Sequence, residues 1–376
     1  MSAVLRVAEA RLFRLGLPLV HEFETSSHRK STIEHILIRL LADDGTVAWG
    51  EIASPSDPYF TSETVETCWH IATRYLLPSL LNLTWEHPEQ AVESWAEVRG
   101  NNFAKAGVDA AVWALFAQSA DTSLAEALGG TQLQAAAGVS LGIERNPEEL
   151  LKRVRTQVEA GYRRIKLKIR PGWDLTPVSA VRAEFPDISL QVDANGAYTE
   201  DGDNLASLRE LDSYGLAMIE QPFAPRELLA HARLQSSIET PICLDESIET
   251  IADLTTAIDL DAARVINIKV SRMGGLTVAR DAHDVAFARN IPVWCGGMHE
   301  FGVGRAANLA LCSLPGFTLP SDVSGSAKYY ARDIITEPIV ASYGIVDVPR
   351  AKGLGREVDE AFVTEQANKI EVLTRD

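Results

Sequence analysis

Residues 163–173 read RRIKLKIRPGW, and the five residues IKLKI (165–169) alternate aliphatic and cationic side chains. A period of two is the pattern of a β-strand, with Lys166 and Lys168 on one face and Ile165, Leu167 and Ile169 on the other. If only the aliphatic face packs on a core, the lysines simply face water. If the lysine face is enclosed, two adjacent cations need compensating charge.

The surroundings argue for enclosure. From about Ala136 onward, short apolar runs recur at 136–143, 164–169, 189–195, 217–222, 241–247, 264–270, 292–298 and 317–324, separated by polar loops and helical patterns. Strands alternating with helices indicate parallel βαβ construction, and eight such runs indicate a (β/α)8 barrel. An open doubly wound sheet is the alternative. No GxGxxG or GxxxxGK[ST] phosphate loop follows any strand, which weakens it. Ahead of the barrel runs lie strand-like segments at 7–19 and 32–52, the second turning at Asp43-Asp44-Gly45. The polar segments HEFETSSHRKS (21–31) and ASPSDPYFTSE (53–63) lack periodicity and are expected to be functional loops. Helical patterns follow at about 64–80 and 90–128, the latter Ala-rich.

The 376-residue chain has 35 Lys+Arg against 52 Asp+Glu, a net charge of −17. Such acidity argues against a nucleic-acid or anionic-membrane partner and suits a protein that handles small molecules or metal cations. The four cysteines form no CxxC pattern, which argues against a disulfide or zinc framework, and two of them, Cys243 and Cys295, sit in apolar runs and read as buried small hydrophobes. Arg6, Glu9, Arg11 and Arg14 interrupt the apolar residues of the N-terminal segment, unlike a signal peptide. No run is long enough to span a membrane. A cytoplasmic location is expected.

Barrel enzymes place their chemistry at the C-terminal ends of the strands. Reading the polar residues there, run by run, gives Lys166 and Lys168, then Asp193 and Asn195, then Glu220, Asp245 and Lys269. Lys168, Asp193, Glu220, Asp245 and Lys269 follow one another at intervals of 24 to 27 residues, one βα unit each. Three carboxylates at equivalent heights on consecutive strands are a hard-oxygen donor set for Mg²⁺ or Mn²⁺. Without a cation they would repel, and one would stay protonated. Taken singly, each acid could cap the helix after it and each lysine could be solvated; the shared phase of the series argues otherwise. The lysines flank the acids, so they would meet a bound ligand from opposite faces. A divalent ion on a substrate carboxylate eases removal of the α-proton by stabilising the dianionic enediolate. A lysine at its ordinary pKa of about 10.4 is a poor base, and the second lysine of the KxK pair can lower that value.

Together, KLK (166–168), VDAN (192–195), IEQP (219–222), LDES (244–247) and NIKV (267–270) resemble the enolase superfamily in its muconate-lactonizing subgroup. The resemblance covers nearly the whole chain. It implies a modified TIM barrel, (β/α)7β, over residues 131–344. It also implies an α+β capping domain over 1–130, completed by about 345–376. It implies Mg²⁺, replaceable by Mn²⁺, on Asp193, Glu220 and Asp245, with Lys168 and Lys269 as acid/base residues and Lys166 assisting. A lysine base beside Mg²⁺ is the established arrangement of that superfamily.

PGWD (171–174), VWCGGM (293–298), GVGRAANLAL (302–311) and LPGFTLPSD (314–322) are similar to the o-succinylbenzoate synthase / N-succinylamino acid racemase group. That likeness implies a lyase of menaquinone biosynthesis, either alone or also racemising N-succinylamino acids. The alternatives are a racemase as the main activity, a dipeptide epimerase or a cycloisomerase. A non-catalytic barrel would need no base on each face. Candidate contacts for a small carboxylate substrate are Asn195, Arg272, Gly297, Met298 and His299. Arg272 matches an arginine of members with racemase activity; a solvated loop charge is the equal alternative. His299 stands where this group is expected to carry an aliphatic residue. Backbone N–H groups of the GGM turn (296–298) would receive a succinyl carboxylate, and the loops at 21–31 and 53–63 would close over it. The family is commonly homo-oligomeric.

Overall fold

The structure is a computed structural model that describes residues 4–24 and 29–375. Strands β1 (Val7–Glu24), β2 (Arg29–Ala42) and β3 (Val47–Ile52) form an antiparallel meander. The β2–β3 turn is closed by Gly45 at φ +87° and by a 2.9 Å bond from the Ala42 N–H to the Thr46 carbonyl. Pairing between β1 and β2 continues through Phe23–Lys30 and Glu24–Arg29, so most of the expected 21–31 loop is a projecting hairpin. Its tip, 25–28, lies outside the described residues. The hairpin's described residues are exposed or half-buried, with Phe23 and Lys30 turned toward a cavity rather than a packed core, so no buried hydrophobic period is there to read. Residues 53–63 do lack regular structure.

Against β3 packs the helix Asn102–Ser119, whose Ala-rich sequence is mostly buried. Gly50 and Gly107 set the approach: a Cβ on Gly50 would lie 2.3 Å from the Gly107 carbonyl oxygen and 2.7 Å from the Ala111 nitrogen. The expected helix over 90–128 is three pieces, Pro88–Glu93, Asn102–Ser119 and Leu124–Ala127. Gly100 and Asn101, at φ +58° and +55°, and Asp121, at +55°, interrupt it with left-handed backbone. The expected helix over 64–80 runs over 65–81, with a π-helical turn at Ala72–Leu76.

The short strand β4 (Gln134–Ala136) leads into a curled parallel sheet. Its members, in chain order, are β5 (Gly138–Leu141), β6 (Arg164–Lys168), β7 (Ser189–Asp193), β8 (Met218–Glu220), β9 (Ile242–Leu244), β10 (Val265–Ile268) and β11 (Val293–Cys295). The eighth expected strand, 317–324, closes the cylinder without forming a regular ladder. It makes single bridges, Phe317 to Val293 and Ser321 to Ala137. Ser321 fills the seam: its N–H donates to Ala136, its carbonyl accepts from Gly138, and its hydroxyl accepts the Cys295 N–H at 2.9 Å. Pro320 lacks the N–H that a ladder would require at its position. The architecture is therefore α/β, an antiparallel capping sheet beside a seven-stranded parallel half-barrel and its closing segment.

Strands β12 (Ala341–Ser342) and β13 (Ile345–Asp347) pair with β4, and β14 (Ala367–Thr374) returns to pair antiparallel with β1. Inside the cylinder, Met218, Cys243, Val265 and Trp294 form a small apolar plug. All four cysteines are free and buried. Among the described residues, no helix is long and apolar enough to cross a membrane.

Candidate active site

Strand register puts the charged residues level with one another. Lys168 pairs across from Asp193, Asp193 from Glu220, and Glu220 from Cys243. Asp245 and Lys269 immediately follow β9 and β10. All of β6 is buried, its aliphatic residues on one side and Lys166 and Lys168 on the other. The lysine face is enclosed.

Every member of the charged row has an opposite partner. Lys168 Nζ donates to Asp193 Oδ2 at 2.5 Å and to Asn195 Oδ1 at 2.7 Å. Lys166 Nζ lies 3.0 Å from Glu220 Oε2, 3.1 Å from Asp322 Oδ2 and 3.5 Å from Asp193 Oδ2. Lys269 Nζ donates to Asp245 Oδ2 at 2.7 Å. Glu220 also accepts from Gln191 at 2.6 Å and Asn267 at 2.9 Å. Asn195, held at φ +46°, turns its amide to donate 2.8 Å to Glu246. Gln221, at φ +41°, accepts the N–H groups of Asp245 and Ser247 and so fixes the end of β9.

The field inside this network is uneven. Burial works against the Lys166 ammonium, but Asp322, Glu220 and Asp193 outweigh it and hold its pKa well above the ordinary lysine value. Burial also opposes ionisation of Asp193 and Asp245. Lys168 and Lys166 override it for Asp193, and Lys269 and Arg272 for Asp245, so both lie below the usual carboxylate range. Glu220 is pushed up to about 8 by burial and by Asp193. Glu246 is pushed up to about 7 by burial and by Asp245.

Among the described residues, no three carboxylate, imidazole or thiolate groups converge closely enough to clasp an ion as they stand. Each acid turns instead toward a lysine or arginine. The donor chemistry nevertheless fits a hard divalent cation, because three oxygen-bearing side chains end on three adjacent strands. Two buried oxygens point the same way: Glu246 Oε2 and Asn267 Oδ1 have no hydrogen-bond partner.

Above the row is a cavity of about 210 Å³. Lys166, Lys168, Asp193, Asn195, Asp245, Lys269, Gly297, Met298 and His299 all line it. Glu220, fully buried, is not among the lining residues. The capping elements supply Phe23 and Lys30 from the hairpin and Tyr59 and Phe60 from the 53–63 loop. Lys269 Nζ sits 4.6 Å from the Phe60 ring centroid.

Two expected substrate contacts stand differently. Arg272 does not line the cavity and is neither solvated nor loop-exposed. It is buried behind Asp245, donating to that carboxylate and to the Ile248 and Asn267 carbonyls. A buried guanidinium needs acceptors, and the end of β9 provides them. In the GGM turn, the Gly296 N–H donates to Ile268 and the Met298 N–H to Glu300 at 2.8 Å, so two of the three supposed anion donors are taken.

Sequence reasoning left several lining residues unassigned: Lys30, Glu246, Arg305, Asp322 and Tyr329. Asp322 was within reach, since it ends the eighth run just as Asp245 ends the fifth. It pairs with Arg164 at 2.8 Å as well as with Lys166. Lys30, Glu246 and Arg305 lie inside stretches already singled out (21–31, 244–247 and 302–311) without being picked as individual contacts, and Tyr329 lies in none of them.

Residues 8–129 match the mandelate racemase / muconate lactonizing enzyme N-terminal domain, and residues 149–362 match the enolase C-terminal domain-like family. The o-succinylbenzoate synthase of Geobacillus kaustophilus is 45% identical over 94% of this chain and 93% of its own. The N-succinylamino acid racemase of an Amycolatopsis species is 44% identical over 93% of this chain and 95% of its own. A crystal structure of an enolase-superfamily member from Listeria innocua superposes with a TM-score of 0.95 at 38% identity, covering 98% of this chain and 99% of that one.

Proposed function

We propose that this chain, which belongs to the enolase superfamily in its mandelate racemase and muconate lactonizing branch, is an o-succinylbenzoate synthase that abstracts the proton α to a substrate carboxylate. One observation carries the reading: Lys168 and Lys269 flank a row of acids and open onto the same cavity. Enolase-superfamily enzymes use a divalent metal. Here Asp193, Glu220 and Asp245 would hold Mg²⁺ or Mn²⁺, which stabilises the enediolate when bound.

Lys168 removes the α-proton of a cyclohexadiene substrate. Asn195 and Asp193 aim its Nζ into the cavity. The hydroxyl on the adjacent carbon leaves on the same face, taking the proton from Lys168 and departing as water. The ring becomes aromatic. Lys269 faces the anion from the other side, and Lys166, held charged by its three acids, balances the substrate carboxylate. Phe23, Tyr59 and Phe60 cover the cavity and limit water.

A second reading, racemisation of N-succinylamino acids, is favoured by the lysine on each face: one takes the proton and the other returns it. The relatives at 44–45% identity bear both names, which supports keeping the two reactions on one site.

The test is α-proton exchange in D₂O together with dehydration of the cyclohexadiene substrate. Lys168→Ala should abolish both reactions, and Lys269→Ala should abolish racemisation. A Lys269→Ala enzyme that still racemises would refute the two-base assignment. A wild-type enzyme inactive in both assays would refute the proposal itself.

A further inference from the structure

The two lysines that flank the acid row are held in different ways. Lys168 has two oxygen acceptors, Asp193 and Asn195. Among the described residues Lys269 has one, Asp245, and Arg272 shares that carboxylate. The other group that faces the Lys269 ammonium is the ring of Phe60, its centroid 4.6 Å from Nζ. The Lys269 side chain is only 7% exposed, so water can replace little of a lost contact. A desolvated ammonium over a ring face is attracted by the ring quadrupole, and the attraction has a direction.

Phe60 belongs to a segment without regular structure, yet that segment is pinned near both ends. Near its start, the Pro55 carbonyl accepts the Val65 N–H at 3.0 Å. At its end, the buried Glu63 carboxylate accepts the Phe103 N–H at 3.0 Å and the Ala104 N–H at 3.2 Å. Those N–H groups open the helix Asn102–Ser119, whose own Asn101 makes no side-chain cap. A helix start needs acceptors and favours an anion, so a carboxylate from another segment takes the place of a capping residue. The Phe60 ring then meets the Phe103 ring edge-on, with centroids 6.3 Å apart. The same helical turn reaches the other side of the pair. Asn102 Nδ2 donates at 2.9 Å to the carbonyl of Arg272, three residues beyond Lys269. One helix start therefore fixes both the ring and the backbone that carries the lysine.

We infer that Phe60 is a positioning residue for Lys269: the face of its ring holds Nζ in place at the cavity, and Glu63 and Phe103 hold the ring. Lys168 is placed by Asp193 and Asn195 instead. The inference rests on the proposed proton-transfer reading for what Lys269 does. It adds that the two lysines have separate supports, so that loss of the Phe60 ring falls on one face of the substrate and spares the other.

The experiment follows α-proton exchange in D₂O by the Mg²⁺-loaded full-length protein, with the two enantiomers of N-succinylalanine taken separately at saturation. Lys269→Ala identifies the enantiomer that Lys269 serves, as the one whose exchange it loses. Phe60→Leu keeps an apolar cover on the cavity but removes the ring face. It should slow exchange of that enantiomer about tenfold and leave the other enantiomer, and both KM values, within about twofold. Phe60→Tyr, which restores a ring face, should recover most of the rate. Equal slowing of both enantiomers, or of neither, overturns the inference, because a general loss of packing or of water exclusion does not choose a face. A second readout needs no turnover. In protein labelled with ¹³C at the lysine ε-carbons, the Lys269 signal is assigned by its loss in Lys269→Ala. The Phe60 ring current displaces that signal, so Phe60→Leu should move it more than any other lysine signal; an unmoved signal overturns the inference. A wild type that exchanges neither enantiomer sinks the two-base reading, and the Lys269 signal then decides alone: moved by Phe60→Leu, it keeps the positioning contact, and unmoved, it sinks that as well.

Discussion

Replacing Glu51 by alanine should unfasten the cap from the barrel. Glu51 lies on β3, yet its carboxylate accepts the Phe301 N–H at 2.8 Å and the Gly304 N–H at 2.7 Å, and it meets His35 Nδ1 at 2.8 Å. Phe301 and Gly304 begin the helix Gly302–Leu311, where orphan N–H groups and the positive end of the helix dipole favour an anion. Glu51, His35 and Phe301 are buried, and Gly304 is partly so. Each buried donor left without an acceptor costs about 1–3 kcal/mol, so two backbone donors should cost about 2–6 kcal/mol, with roughly 4 kcal/mol expected. Glu51→Gln keeps one acceptor but presents an amide N–H to the other donor, and should lose about half as much. Urea unfolding followed by tryptophan fluorescence and circular dichroism measures both. The helix also anchors the turn that supplies Gly297, Met298 and His299, so KM should rise in the alanine variant. A loss below about 1 kcal/mol for Glu51→Ala would refute the reasoning, because it would mean that those donors find other acceptors.

Asp109 is buried, accepts from Thr277 Oγ1 at 2.6 Å, and is pushed up to about 6 by burial. Its folded pKa lies above the ordinary value of 3.8, so its protonated form favours the folded state, and that contribution fades as pH rises from about 4 to about 6. At roughly 1.4 kcal/mol per unit, the stability of Asp109→Asn relative to wild type should improve by about 3 kcal/mol across that window; a pH-independent difference in urea unfolding would contradict this. Gly50→Ala drives a methyl group into the Gly107 carbonyl and should cost about 3 kcal/mol or prevent folding; a variant with unchanged unfolding would mean that the helix can retreat from β3. Chelation with EDTA should abolish turnover, and Mg²⁺ or Mn²⁺ should restore it; activity that survives EDTA would contradict the metal assignment.

The acid row was legible because register in a parallel barrel is periodic. One βα unit separates each of Lys168, Asp193, Glu220, Asp245 and Lys269, so a one-dimensional spacing becomes a shared height in space. Arg272 shows where spacing misleads. Its place three residues after Lys269 says that it is near the site, but not which way a long side chain turns. Only the carbonyls at the end of β9 decide that it supports Asp245 from behind. Residues 21–24 and 29–31 show the converse, since polar strand ends that pack on no core look like a loop until their pairing partner is seen.

The sequence alone therefore determined the barrel, the order of its strands and the charged residues at their ends, because each follows from local period and from the interval between repeats. Only the tertiary structure decided what lies opposite them. Lys30, His299, Arg305 and Tyr329 come from distant parts of the chain, on the capping hairpin, the turn and helix after β11, and the segment beyond the barrel's closing run. No spacing relates them; they meet because the cap is fastened to the barrel through contacts such as that of Glu51, and long-range packing leaves no periodic trace in the sequence.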